Sequence, residues 1–157
     1  MRVFDAGNFR RSNDGRIAVI AGRWHNYIVD SLMQGALATA AEHGFSDTDI
    51  DVVQAPGAYE MPLIAQQLIA SGGYVAVVTL GVVIRGETPH FDYVAGECAR
   101  GLANVALATG VPVGFGVLTV NNVDQALARA QAGESNKGRE AMLAALEVAG
   151  LIEQFAR

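Results

Sequence analysis

At 157 residues the chain has the length of one domain and can hide roughly two-thirds of its unfolded surface. Half of it is hydrophobic (51%) and only 17% is charged, too little charge to cover a small monomer, so the surplus apolar side chains are expected to meet other copies of the chain. A formal net charge of −5 with no Lys/Arg cluster argues against a nucleic-acid or anionic-membrane surface, which leaves small molecules and copies of itself as partners.

The first 15 residues are turn-rich and fit no element of the pattern; they are expected to form an N-terminal arm that either frays or adds to another subunit's sheet. Met1 to Asn8 lacks the continuous apolar core of a signal peptide and no apolar run reaches membrane-spanning length, so the expected compartment is cytoplasmic. A first strand is expected over Arg16 to Ala21. A helix follows over Tyr27 to His43, where Ile28, Leu32, Ala36, Leu37 and Ala40 recur at helical spacing and Gly44 stops it. Ile50 to Gln54 reads as the second strand, Met61 to Ala70 as a helix ended by Ser71-Gly72-Gly73, and Val75 to Val83 as a long apolar third strand. Phe91, Val94, Cys98, Leu102 and Val105 then step by three and four, giving an amphipathic helix that ends near Thr109-Gly110. Cys98, the only cysteine, lies on its apolar stripe and is read as core. Val113 to Leu118 is the fourth strand, and two helices close the chain, Val123 to Gln131 and Lys137 to about Gln154. Strands alternating with helices predict a single α/β domain with a parallel sheet covered on both faces.

In a parallel sheet all the strand tips point the same way, and here each carries unusual residues. They are Gly22-Arg23-Trp24-His25-Asn26, Pro56-Gly57-Ala58-Tyr59-Glu60, Arg85 to His90, and Thr119-Val120-Asn121-Asn122. Together these can enclose one pocket. Gly86-Glu87-Thr88, with Thr88 read as a helix cap, sits where a helix N-terminus offers free N–H groups to a phosphate, and His90 in the first helical turn is placed to move protons. The same segment also reads as a polar, capped loop with a solvated histidine. Trp24 fits either a stacking platform for a flat heterocycle or a core plug, and Glu60 in isolation is an ordinary dipole-capping carboxylate. Arg129 and Lys137 are candidate phosphate cations or plain surface charges. His25, His43 and His90 are too scattered for a metal set, and neither a nucleophile elbow nor a glycine-rich nucleotide loop occurs. Acid/base chemistry without a bound metal is what remains.

Five motifs carry a resemblance in order and spacing: Gly22-Arg23-Trp24-His25-Asn26, Pro56-Gly57-Ala58-Tyr59-Glu60, the run from Leu80 through Arg85-Gly86-Glu87-Thr88-Pro89-His90 to Val94, Phe115-Gly116-Val117-Leu118-Thr119, and Asn136-Lys137-Gly138. From about Ile17 to its end the chain resembles the 6,7-dimethyl-8-ribityllumazine synthases. The resemblance implies condensation of 5-amino-6-(D-ribitylamino)uracil with 3,4-dihydroxy-2-butanone 4-phosphate, the penultimate step of riboflavin synthesis, without metal or organic cofactor. It assigns Trp24 to stacking on the pyrimidine, Ala58, Tyr59 and Glu60 to the ribityl chain, and backbone groups of Val83 and Ile84 to the uracil edge. Glu87 and Thr88 would contact the phosphate with Arg129 as its cation, and His90 would shuttle protons. Phe115 and Lys137 would come from the adjacent subunit of a homopentamer.

The fold expected with it is a three-layer α/β sandwich whose four-stranded parallel sheet has the flavodoxin-like order 2-1-3-4. Two positions depart from the family pattern: Trp24 stands where many members carry phenylalanine, and Ala130 to Asn136 differs from the Gly-Thr-Lys-Ala-Gly-Asn form associated with shell-forming members. The competing expectation is therefore a non-catalytic flavin- or lumazine-binding, or shell-forming, relative.

Overall fold

The alternating pattern produces four strands and five helices in the computed structural model, which describes residues 1–7, 9 and 14–157. In chain order these are β1 (Arg16–Gly22), α1 (Asn26–Glu42), β2 (Ile50–Ala55), α2 (Met61–Ser71), β3 (Tyr74–Ile84), α3 (His90–Thr109), β4 (Val113–Val120), α4 (Val123–Ala130) and α5 (Lys137–Phe155). All pairings are parallel, in the order β2-β1-β3-β4, the expected sandwich. Residues alternate across the central strand β1. Ile17, Val19 and Ala21 pack with Ile28 and Leu32 of α1 and Met142 and Leu146 of α5, whereas Ala18 and Ile20 pack with Met61 and Ala65 of α2 and Cys98 and Leu102 of α3. Helices α1, α4 and α5 thus cover one face and α2 and α3 the other.

Strand ends run slightly past the expected bounds because partners hold them. Ile84 stands opposite Val120, and the Arg85 N–H donates to the Val120 carbonyl at 2.8 Å. At the opposite end of the sheet, the Tyr74 hydroxyl donates to Asp51 Oδ2 (2.7 Å), and Arg16 pairs with Asp51 Oδ1 (2.6 Å). The hydrogen bond to Asp51 pushes the Tyr74 phenol above its usual range. Cys98 is fully buried, and burial raises its thiol to about 11, as expected of a core residue with no nucleophilic role.

Helices α1 and α5 touch through glycine. A methyl at Gly138 would overlap the Leu32 carbonyl, and one at Gly35 would overlap the side chain of Asn136. Asn136 is buried and fully used: its Nδ2 donates to the Ser31 (3.2 Å) and Ala130 (3.0 Å) carbonyls, and its Oδ1 caps α5 by accepting from Arg139 N–H (3.0 Å). Described parts of the N-terminal arm lie on the end of α5, where Phe4 meets Phe155 edge-on at 5.3 Å and Gln154 Nε2 donates to the Asp5 carbonyl at 2.8 Å. Positions 8 and 10–13 of the expected arm lie outside the described residues.

Candidate active site

Three strand tips and the start of α3 enclose a cleft of about 730 Å3. The β1–α1 turn contributes Arg23, Trp24 and His25, the β2–α2 turn Pro56 to Glu60, the β3 tip Val82 to Ile84, and the β3–α3 connection Gly86, Thr88, His90, Phe91, Tyr93 and Val94. Its position outside the carboxyl ends of a parallel sheet is where such folds bind ligands.

The first wall depends on an unusual bend. His25 has φ 55° and ψ 49°, the one left-handed non-glycine among the described residues, and its carbonyl accepts from Ile28 and Val29 to start α1. That sharp turn leaves Trp24 65% exposed at the cleft rather than in the core, which removes the core-plug reading. Gly57 is the spacer beside it: a side chain there would stand 3.0 Å from Glu60 Oε2 and 3.9 Å from the indole nitrogen of Trp24. The close backbone lets the indole and the Glu60 carboxylate share one wall. Ala58 and Glu60 lie in a 3-10 turn (Ala58–Glu60) that leads into α2, with Tyr59 turned outward and mostly exposed.

The opposite wall is the segment after β3. Thr88 does not cap α3. The cap position is Pro89 (φ −65°, ψ −1°), and Thr88 Oγ1 accepts only a long bond from His90 N–H at 3.4 Å. The proline ring sets the entry geometry, which places the threonine one residue too early to reach the second or third helical amide. Of the first-turn amides, that of His90 reaches Thr88 Oγ1 and that of Asp92 donates to the Pro89 carbonyl at 2.9 Å, while a methyl at Gly86 would meet nothing within 4 Å. His90, Tyr93 and Val94 follow at helical spacing along the same cleft wall.

Trp24, Ala58, Tyr59, Glu60, Val83, Ile84, Thr88 and His90 are thus brought together in one chain. Glu87 is exposed beside the cleft without lining it. Phe115, Arg129 and Lys137 also lie off its wall. Phe115 is 46% exposed on the edge strand β4, Arg129 folds back onto the Gln125 carbonyl (3.0 Å), and Lys137 pairs with Glu140 (2.7 Å). Arg23 and His25 were expected at the pocket only as members of the first strand-tip motif, and Phe91, Tyr93 and Val94 were not expected there. The signal for Tyr93 and Val94 was present, since they are three and four residues beyond His90 on a helix.

The family model for 6,7-dimethyl-8-ribityllumazine synthase matches residues 14–153, which takes in every element from β1 to α5 and the whole cleft. No helix among the described residues is long and apolar enough to cross a membrane. With its parallel 2-1-3-4 sheet and its tip-lined cleft, the chain belongs to the 6,7-dimethyl-8-ribityllumazine synthase family, transferases of riboflavin biosynthesis.

Proposed function

We propose that the protein condenses 5-amino-6-(D-ribitylamino)uracil with 3,4-dihydroxy-2-butanone 4-phosphate, releasing 6,7-dimethyl-8-ribityllumazine, phosphate and water. One observation carries this reading: an exposed indole, a carboxylate and a histidine line one cleft outside the carboxyl ends of the strands. Trp24 stacks on the pyrimidine, backbone groups of Val83 and Ile84 meet its edge, and Ala58, Tyr59 and Glu60 take the ribityl chain. Glu87 and Thr88 flank the phosphate. His90 moves protons as the amine adds to the ketone and water leaves to form the imine, phosphate is eliminated, and the ribitylamino nitrogen closes the second ring on the remaining carbonyl with loss of a second water. Holding two reactants face to face supplies much of the acceleration. Mixing both substrates with the protein and following lumazine absorbance and inorganic phosphate tests the reading. Phosphate release at the uncatalysed rate, with product still bound, would assign the chain to the non-catalytic alternative.

Neither Arg129 nor Lys137, the expected phosphate cations, lines the cleft of a single chain. A neighbouring copy that brings Phe115 and Lys137 to it completes the site, in rings of five. The exposed apolar side chains Leu63, Tyr93, Leu107 and Phe155 support such contacts. Light scattering decides: a ring of the 16.5 kDa chain runs at roughly 80 kDa, and paired rings or a shell of sixty run higher by whole multiples. A fully active monomer would remove the shared site. Arg129→Ala should raise KM for the butanone phosphate about 10- to 150-fold, since a charge-assisted contact is worth about 1.5–3 kcal/mol, and leave KM for the uracil near wild type. Equal changes in both constants would place Arg129 away from the phosphate.

A further inference from the structure

Residues 85–90 are all exposed, and the segment carries no apolar anchor of its own. What ties it down is Arg85. Its guanidinium lies 4.4 Å from the centre of the Phe91 ring, its Nη2 is 3.3 Å from Asp92 Oδ1, and its Nε donates to Asn121 Oδ1 at 3.3 Å. Its backbone N–H is held by Val120. The side chain therefore reaches from the tip of β3 to the first turn of α3 and to the tip of β4, closing the intervening residues into a ring of contacts. Phe91 lines the cleft and follows His90 directly, whereas Asn121 does not line it.

We infer that Arg85 is a positioning residue, a buckle that holds the Gly86-Glu87-Thr88 connection and the His90 turn at a fixed place against β4. The inference rests on the proposed reaction for its kinetic consequence only. The planar guanidinium is what the arrangement requires: one face stacks on Phe91 while its edge serves Asp92 and Asn121, a combination an ammonium cannot reproduce. Arg85 does not line the cleft. Its effect passes through the turn it restrains, and a small displacement of a reacting group is enough to slow a reaction that depends on alignment.

The test uses the full chain in its native assembly, as wild type, Arg85→Met, Arg85→Lys, Asn121→Ala, and the double variant Arg85→Met with Asn121→Ala. Arg85→Met should lower kcat about tenfold and raise KM for the butanone phosphate several-fold, with KM for the uracil and the thermal midpoint unmoved. Arg85→Lys should recover only part of the loss. Asn121→Ala should shift the same constants in the same direction, and the double variant should be no worse than Arg85→Met alone, because both changes break one device. Amide hydrogen exchange over residues 86–92 should quicken in Arg85→Met. An additive double variant, or equal changes in both KM values, would overturn the buckle. The exchange measurement also separates two failures: if wild type releases no phosphate, the proposed reaction falls, and unchanged exchange in Arg85→Met would still sink the buckle on its own.

Discussion

Gly138→Ala should lower stability by about 3 kcal/mol, a fall of roughly 6–12 °C in Tm for a chain of this length. Helix propensity alone predicts the opposite sign, since alanine in a helix is favoured over glycine by about 1 kcal/mol. Packing decides. The methyl would overlap the Leu32 carbonyl, a backbone atom of α1 that cannot rotate away, so the two helices must separate or shift along their whole contact. Separation also strains the buried Asn136, whose bonds to Ser31 and Ala130 join α5 to α1 and to the end of α4. Gly96→Ala is the matched control, because a methyl there meets nothing within 4 Å and lies in a helix; it should be neutral or stabilising by up to about 1 kcal/mol. Thermal or chemical unfolding of the two variants beside wild type checks both signs. Equal stability of Gly138→Ala and wild type would mean that α1 and α5 are not in backbone contact.

His90→Ala should slow turnover by about 10- to 100-fold without abolishing it. The acceleration has two sources, alignment and proton transfer. Alignment of the reactants by Trp24, Glu60 and the β3 tip survives the substitution, because those groups stand on other elements. Proton transfer is lost from the side chain and left to water. Single-turnover measurements with saturating substrates isolate the chemical step, and both KM values should stay near wild type. Complete loss of turnover in a folded, assembled variant would show that proton transfer outweighs alignment here, and an unchanged rate would remove His90 from the mechanism.

Much of this architecture was legible in the sequence because its signals are periodic. The alternation of Ile17, Val19 and Ala21 against Ala18 and Ile20 marks a strand buried on both faces, and the spacing of Cys98, Leu102 and Val105 fixes which side of α3 turns inward. Strand ends were less legible: Ile84 and Val120 extend β3 and β4 because each has the other as its partner, a tertiary fact with no local mark. Three of the four expected tips line the cleft because a parallel sheet points its tips the same way, whereas the fourth, Thr119 to Asn122, does not line it. Thr88 misled, since a threonine before a helix resembles a cap and the shift by one residue is set by Pro89. Without the resemblance, Trp24 reads either as platform or as core plug, as its exposure depends on the left-handed backbone of His25, which no side-chain pattern announces. The resemblance named Phe115, Arg129 and Lys137, but none lines the cleft of a single chain, and the proposed partner of Phe115 and Lys137 is another copy.

The turns after β1 and β2 share one wall of the cleft and β3 with α3 supplies the other, so no contiguous stretch of chain encloses it. A ligand that spans Trp24 and His90 therefore clasps β1 to β3, neighbours in the sheet that are separated by the whole of α1, β2 and α2 along the chain. Occupancy then resists opening of the sheet's central seam as well as filling a surface hollow. By mass action a ligand at a hundred times its Kd adds about 2.7 kcal/mol against global unfolding, so substrate supply becomes a determinant of how long each chain survives.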